Sequence, residues 1–309
     1  MQTRDPRLFS INNILLSLAL SFGYLLFSFF LIGLKTDQLF LVGLFNGCFF
    51  SSTISRKFIT GFAIFIVYWI LFDYMKAFPN YTVNEVRIGE LYLAEKKLFG
   101  FNYAGNAVTP NEYWLLNGTT FLDVLSGLFY LCWIPVPLAF AAYLFFVDKK
   151  IFLHFALTFV LVNLLGFVIY YVYPAAPPWY YQLHGTEFIQ GTNGNTAGLH
   201  KFDEYFNTGV FKSLYEKSSN VFAAVPSLHS SYPLIVLYYA MQKKLGWMNW
   251  VFFIVAAGIW FAAVYTSHHY IIDVLAGIAC AVSGIALFQL VLLKLPPFKR
   301  FIDRYLTKI

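Results

Sequence analysis

Charge is scarce in this chain. Asp, Glu, Lys and Arg make up 12% of its 309 residues, about half the roughly 25% of a soluble domain. That excludes an ordinary water-soluble fold. Cysteine is scarcer still: Cys48, Cys132 and Cys280 are the only three, each inside an apolar run. They make neither a disulfide framework nor a thiolate ligand set. No small-residue cleavage site follows the first apolar run, which begins near Ile11, so it reads as a retained span rather than a signal peptide. No internal repeat and no low-complexity linker is visible. Arginine is missing altogether between positions 88 and 299.

What is present is apolar and aromatic, at 59% and 21% of residues. Apolar runs cover 11–33, 39–54, 58–75, 120–147, 151–173, 222–241, 247–266 and 269–293. Most reach the roughly 20 residues that cross a bilayer as a helix. The sequence therefore predicts an all-α polytopic bundle of six to eight transmembrane spans, with a six-helix catalytic core. Residues 1–57 read as N-terminal membrane helices, 58–293 as the catalytic unit and 294–309 as a basic cytoplasmic tail. Pro135 and Pro137 predict a kink within 120–147. The 39–54 run is short enough to be re-entrant. Asn163 is a lone polar residue in mid-span.

The net charge of +6 sets topology and implies no nucleic-acid partner. Arg4, Arg7, Arg56, Lys57, Lys149, Lys150, Lys243, Lys244, Lys294, Lys299, Arg300, Arg304 and Lys308 hold 13 of the 21 basic side chains. With eight spans all fall on one side, which the positive-inside rule makes cytoplasmic. The long polar connections 76–119 and 174–221 then face outward, to a periplasm or a Golgi lumen. Asn80-Tyr-Thr82 and Asn117-Gly-Thr119 are sequons on that side.

Two motifs carry chemistry. Val225-Pro226-Ser227-Leu228-His229 opens one span, and Ser267-His268-His269-Tyr270-Ile271-Ile272-Asp273 opens the last. The 40 residues from His229 to His269 allow two crossings of about 20 residues each, so both motifs return to the outer face. His269 and Asp273 are four apart and share a helix face. Asp273 can then hold one ring nitrogen of His269 and leave the other free as a nucleophile. His229 is placed as general acid and base. Ser267 is expected to cap the last helix. The two helix N-termini, the second opened by Pro226 and Ser227, are expected to receive a phosphate. An ionisable group inside a span costs at least ~2.5 kcal/mol at mid-bilayer, which marks Asp273 as functional. A zinc site of His229, His268, His269 and Asp273 is the rival. Adjacent helical residues point about 100° apart, so neither metal nor any other cofactor is expected.

These motifs resemble the last two motifs of the type 2 phosphatidic acid phosphatase superfamily. The nearest branch resembles fungal inositol phosphorylceramide synthases, with sphingomyelin synthases more distant. Ala224 to His229, Ser267 to Tyr270, Tyr173-Pro174-Ala-Ala-Pro177-Pro178-Trp179-Tyr180 and Glu95-Lys96-Lys97-Leu98-Phe99-Gly100 carry the likeness, over roughly 85–293. It implies a nucleophilic His269, oriented by Asp273, with His229 handling the leaving-group proton. It also implies phosphoinositol, or a similar headgroup, moving from a donor such as phosphatidylinositol to ceramide or another lipid alcohol through a phosphohistidine. Phosphatases of the superfamily carry a Lys/Arg-rich first motif and an arginine beside the last one. Pro177-Pro178-Trp179-Tyr180 stands in place of that first motif. A phosphomonoester dianion favours Arg or Lys; a diester monoanion needs fewer cations, which favours a transferase. The alternatives are a lipid phosphatase on the same site and a non-enzymatic transporter or metal-binding membrane protein. Pro226, Ser227, Ser267, His268, Tyr270, Pro178, Trp179 and Tyr180 are the expected substrate-binding positions.

Overall fold

The structure, a computed structural model, describes residues 8–216 and 220–309. Arg4 and Arg7, used above to set orientation, lie outside the described residues. Three membrane helices open the chain: α1 (Ile11–Ile32), α2 (Thr36–Ser51) and α3 (Thr53–Tyr74). Ser10 and Ser52 cap α1 and α3 by accepting from the amides of Asn13 and Ser55. The first polar connection folds into α4 (Gly89–Phe99), a short antiparallel hairpin of β1 (Phe101–Tyr103) and β2 (Asn106–Val108), and α5 (Pro110–Leu116). The next crossing is broken: α6 (Thr120–Leu131) ends three residues before α7 (Pro135–Val147) begins. The kink expected from Pro135 and Pro137 is a full interruption of the helix. After α8 (Lys149–Val172) the second polar connection holds α9 (Pro178–His184), α10 (His200–Phe206) and α11 (Val210–Glu216). The chain closes with α12 (Leu228–Gln242), α13 (Met248–Tyr265), α14 (Ile271–Leu290) and α15 (Pro296–Leu306).

Among the described residues six helices are long and apolar enough to span a membrane: Ile11–Ile32, Thr53–Ala77, Thr120–Val147, Lys149–Val172, Met248–Tyr265 and Ile271–Lys294. The two further runs expected to cross form shorter helices. α2 has 16 residues and α12 has 15, about 24 and 22 Å long against a hydrocarbon core of roughly 30 Å. For α12 the cause is local. A residue before proline is biased to extended backbone, and residues 222–225 run as a strand-like lead-in to Pro226. Ala175 N donates to the Phe222 carbonyl (2.9 Å) and Ala224 N to the Ala175 carbonyl (3.2 Å), while Ala176 N reaches Arg87 (3.0 Å). The apolar character of 222–227 thus belongs to a buried crossing of three extended segments, not to a helix.

Helices α8, α12 and α14 form the centre of the bundle, with α3 and α7 packed on α8. Phe140, Phe145, Phe152, Phe155, Tyr239 and Phe288 fill it. Asn163 is paired there: its Oδ1 accepts from Tyr232 Oη (2.6 Å) and its Nδ2 donates to the Phe159 carbonyl (2.8 Å). The C-terminal segment packs onto the bundle, with Ile302 buried and Tyr305 Oη donating to the Thr60 carbonyl (2.6 Å). Asn80 is fully buried, its Nδ2 donating to the carbonyls of Tyr170 (2.9 Å) and Phe222 (2.7 Å). It is a bracing residue, not a surface sequon.

Candidate active site

The two histidine motifs meet because α12 and α14 approach at a glycine. A Cβ on Gly277 would stand 2.1 Å from the Ser227 carbonyl oxygen, so only a bare Cα lets the start of α12 lie against α14. The contact is tied by Ser227 N donating to the Asp273 carbonyl (2.9 Å) and Ser231 Oγ to the Gly277 carbonyl (2.7 Å). Pro226 and Ser227 are both buried at this junction, with Tyr170 Oη donating to the Pro226 carbonyl (3.1 Å).

His229 Nδ1 and His269 Nε2 are 3.3 Å apart. The other nitrogen of His269, Nδ1, faces Asp273 Oδ2 at 3.4 Å. That is long for a hydrogen bond, and neither His269 Nδ1 nor Asp273 Oδ1 makes a hydrogen bond of ordinary geometry among the described residues. Asp273 is fully buried and His269 nearly so, at 0% and 6% exposure. No lysine or arginine among the described residues pairs with either histidine or with Asp273. The triad therefore sits in a largely dry, cation-poor recess.

Two details of the local backbone differ from expectation. Ser267 does not cap α14. It has φ 59° and belongs to the tight return after α13, where the amides of His268 (3.1 Å) and His269 (2.9 Å) both reach the Ala263 carbonyl. Tyr270 is the N-cap residue, so His268 and His269 precede the helix rather than lie on it. Their rings diverge all the same. His268 packs against Tyr130 and Tyr215 and places Nδ1 3.0 Å from Thr266 Oγ1, while His269 turns to His229 and Asp273.

The N-terminus of α14 is also not open to a phosphate. Tyr270 N donates to Asp273 Oδ2 (2.9 Å). Ile271 N and Ile272 N donate to the two carboxylate oxygens of Glu95, at 3.0 and 3.1 Å. Carboxylates already fill the place expected for the substrate anion. Burial pushes the Glu95 carboxyl up to about 7, against the pull of its two amide bonds, and the nearby Asp273 adds to the rise.

The remaining expected binding positions are split. Tyr270 is buried beside Leu91, Tyr92, Ala175 and Ala224. Residues 174–180 are buried as a continuous stretch, and they fold over the His268–His269 return: Trp179 N donates to the Ser267 carbonyl (3.0 Å) and Gln182 Nε2 to Ser267 Oγ (3.1 Å). Pro178 and Trp179 thus lie next to the site. The Tyr180 hydroxyl faces away, bonding the backbone of Glu187 and Ile189.

Four contacting residues were not among the expected site positions. Tyr130 Oη lies 3.3 Å from His229 Nδ1. Trp133, in the proline break between α6 and α7, sets its ring edge-on to His229 at 4.4 Å. Asn111, fully buried, donates from Nδ2 to the carbonyls of Val264 (2.8 Å) and His269 (3.0 Å). Glu95 is the fourth. Trp133 had a signal as an aromatic two residues before Pro135, and Glu95 one as the first residue of the 95–100 segment that carries the family likeness.

A family model described as the PAP2 superfamily matches residues 107–287, the stretch that holds His229, His269 and Asp273. The chain belongs to the PAP2 superfamily. Among curated proteins it is 45% identical to the phosphoinositol dihydroceramide synthase of Bacteroides thetaiotaomicron, over 91% of this chain and 93% of that protein. It is 28% identical to the inositol phosphorylceramide synthase of Candida albicans, over 75% of this chain and 48% of that one. The catalytic subunit of the Saccharomyces cerevisiae enzyme is 28% identical over 70% of this chain and 53% of its own length. The chain spans about half the length of these fungal relatives. No solved structure matches it. Within this PAP2 chain, Glu95 and helices α1 to α3 lie outside the matched region.

Proposed function

We propose that the chain is a membrane phosphotransferase that moves phosphoinositol from phosphatidylinositol to ceramide or dihydroceramide. The observation that carries the chemistry is the orientation of His269, with Nδ1 held toward Asp273 and Nε2 facing His229. The relatives named for phosphoinositol and ceramide supply the substrates.

In this reading His269 Nε2 attacks the donor phosphorus. A P–N bond forms and the P–O bond to diacylglycerol breaks. The leaving oxygen takes a proton from His229, and Asp273 stabilises the charge on the imidazole ring. The ceramide hydroxyl then attacks the same phosphorus and gives its proton to His229, while the P–N bond breaks. His229 Nδ1 now occupies the place a phosphoryl group on His269 needs, so His229 turns aside when the donor binds. The buried stretch 174–180 over the His269 return helps keep water from the phosphohistidine. With few cations nearby, a diester monoanion is easier to hold than a monoester dianion. The test is product analysis with labelled phosphatidylinositol, with and without ceramide: a ceramide carrying phosphoinositol is expected, and its absence would overturn the reading.

The catalytic unit in this reading is 58–293, and its active site opens to the non-cytoplasmic face. The basic-residue distribution supports that side. A cysteine introduced at Gly194 is expected to react with an impermeant thiol reagent added from outside. One introduced at Lys243 is expected to react only after the membrane is opened. The reverse pattern would place the site on the cytoplasmic face.

A further inference from the structure

We infer that Glu95 is a positioning residue for the catalytic helix. It caps α14 from a distant part of the chain and sets the electrostatics behind His269. The inference rests on the proposed nucleophilic role of His269.

Helix α14 is only partly capped by its own residues. Tyr270 occupies the N-cap position and its side chain makes no cap hydrogen bond to the helix amides. Four amides at a helix start lack intrahelical acceptors, and leaving them bare in a buried place is costly. Asp273 takes one, from inside the helix. Glu95, 176 residues earlier in the chain, takes two, one with each carboxylate oxygen. It is fully buried, on a helix otherwise rich in charge and exposed on its other faces. An isolated buried carboxylate is normally a liability; here the two amides and the positive end of the α14 dipole offset that cost.

Three consequences follow for the site. First, α14 is pinned to α4 at the turn that carries Asp273, with His269 just before it. Second, the dipole's positive end would oppose charge on the imidazole of His269 as the phosphohistidine forms, and Glu95 cancels it. Third, the carboxylate excludes the donor phosphate from this helix end. The phosphate is thereby confined to the side of His269 that faces His229 and α12. Asn111 braces the same return from the other direction, through the carbonyls of Val264 and His269.

The groups facing Glu95 are Asp273 and Tyr270 at α14, and Tyr92 and Tyr181 pack around Tyr270 behind them. Lys96, next in sequence, turns outward to Tyr92 Oη (3.1 Å). No cation among the described residues neutralises the carboxylate, so its charge is lost as pH falls through about 7.

The test uses purified full-length enzyme in detergent–phosphatidylinositol micelles with ceramide as acceptor. Glu95→Gln keeps the shape but offers one acceptor oxygen and no charge. It is expected to lower kcat about 10- to 30-fold, the rate equivalent of a helix-end charge interaction, with KM for phosphatidylinositol within about twofold. Glu95→Asp restores the charge and is expected to recover part of that loss. The wild-type enzyme should lose turnover as pH falls through about 7. The ratio of Glu95→Gln to wild-type rates should rise over the same interval. Wild-type kcat in Glu95→Gln, a loss confined to KM, or no recovery in Glu95→Asp would each overturn the inference. If Glu95→Gln yields no folded enzyme, the wild-type profile decides: a flat profile through pH 7 overturns the role. His269→Ala is run alongside. If it stays active, the proposed chemistry falls; if it is inactive while Glu95→Gln is normal, only the role of Glu95 falls.

Discussion

His269→Ala is expected to lower the rate of diacylglycerol release by at least ~100-fold, the usual scale for losing a nucleophile or an acid–base group. His229→Ala and Asp273→Ala are expected to fall by comparable factors, because the three act as one unit and their losses do not add. The geometry makes this specific. His269 has one nitrogen facing a carboxylate and the other facing a second imidazole. His268, one residue away, is packed on Tyr130 and Tyr215, so His268→Ala is expected to cost much less. The check is initial-rate measurement on purified variants at saturating donor. Equal loss at His268 and His269, or full activity in His229→Ala, would remove the role assignment.

The second large effect is expected at a residue with no chemistry of its own. Gly277→Ala forces a methyl group to within 2.1 Å of the Ser227 carbonyl oxygen. That atom is backbone and cannot swing away, so α12 and α14 must separate. Overpacking of this kind costs about 1–3 kcal/mol of stability. The catalytic cost is expected to be larger. A misplacement of about 1 Å between reacting groups can lower a rate on the order of 100-fold, and His229 and His269 sit on opposite sides of this contact. Turnover and thermal unfolding in detergent, measured on one preparation, separate the two. A rate loss much greater than the loss of folded enzyme is expected. Normal turnover would mean that the glycine contact does not set the distance between the histidines.

Much of this site could be read in advance, and the reasons are physical. Apolar length located the helices, and the spacing of His229, His269 and Asp273 put them on one face of the bundle. The pairing of His269 with Asp273 follows from four-residue spacing even though His269 stands just outside the helix. The proline pair at 135 and 137 located the break that delivers Trp133. What stayed hidden depends on long-range partners. Nothing around Ile271 says that its amide is capped from position 95, or that Asn111 braces the His269 carbonyl. Ser267 reads as a cap because serine commonly is one, but the tight return after α13 takes it out of reach. Residues 222–227 read as helix because they are apolar; the extended strip with Ala175 and Arg87 claims them instead. The N-terminus of α14 reads as an anion site, and it is one, but the anions are Glu95 and Asp273.

The most direct measurement is product analysis with the purified enzyme, given labelled phosphatidylinositol with and without ceramide, beside phosphatidic acid. Ceramide is expected to raise diacylglycerol release from phosphatidylinositol and to yield a ceramide carrying phosphoinositol. Phosphatidic acid is expected to turn over slowly, because among the described residues no arginine or lysine pairs with His229 or His269 to hold its dianion. Fastest turnover on phosphatidic acid, with no ceramide product, would contradict this and make the enzyme a lipid phosphatase.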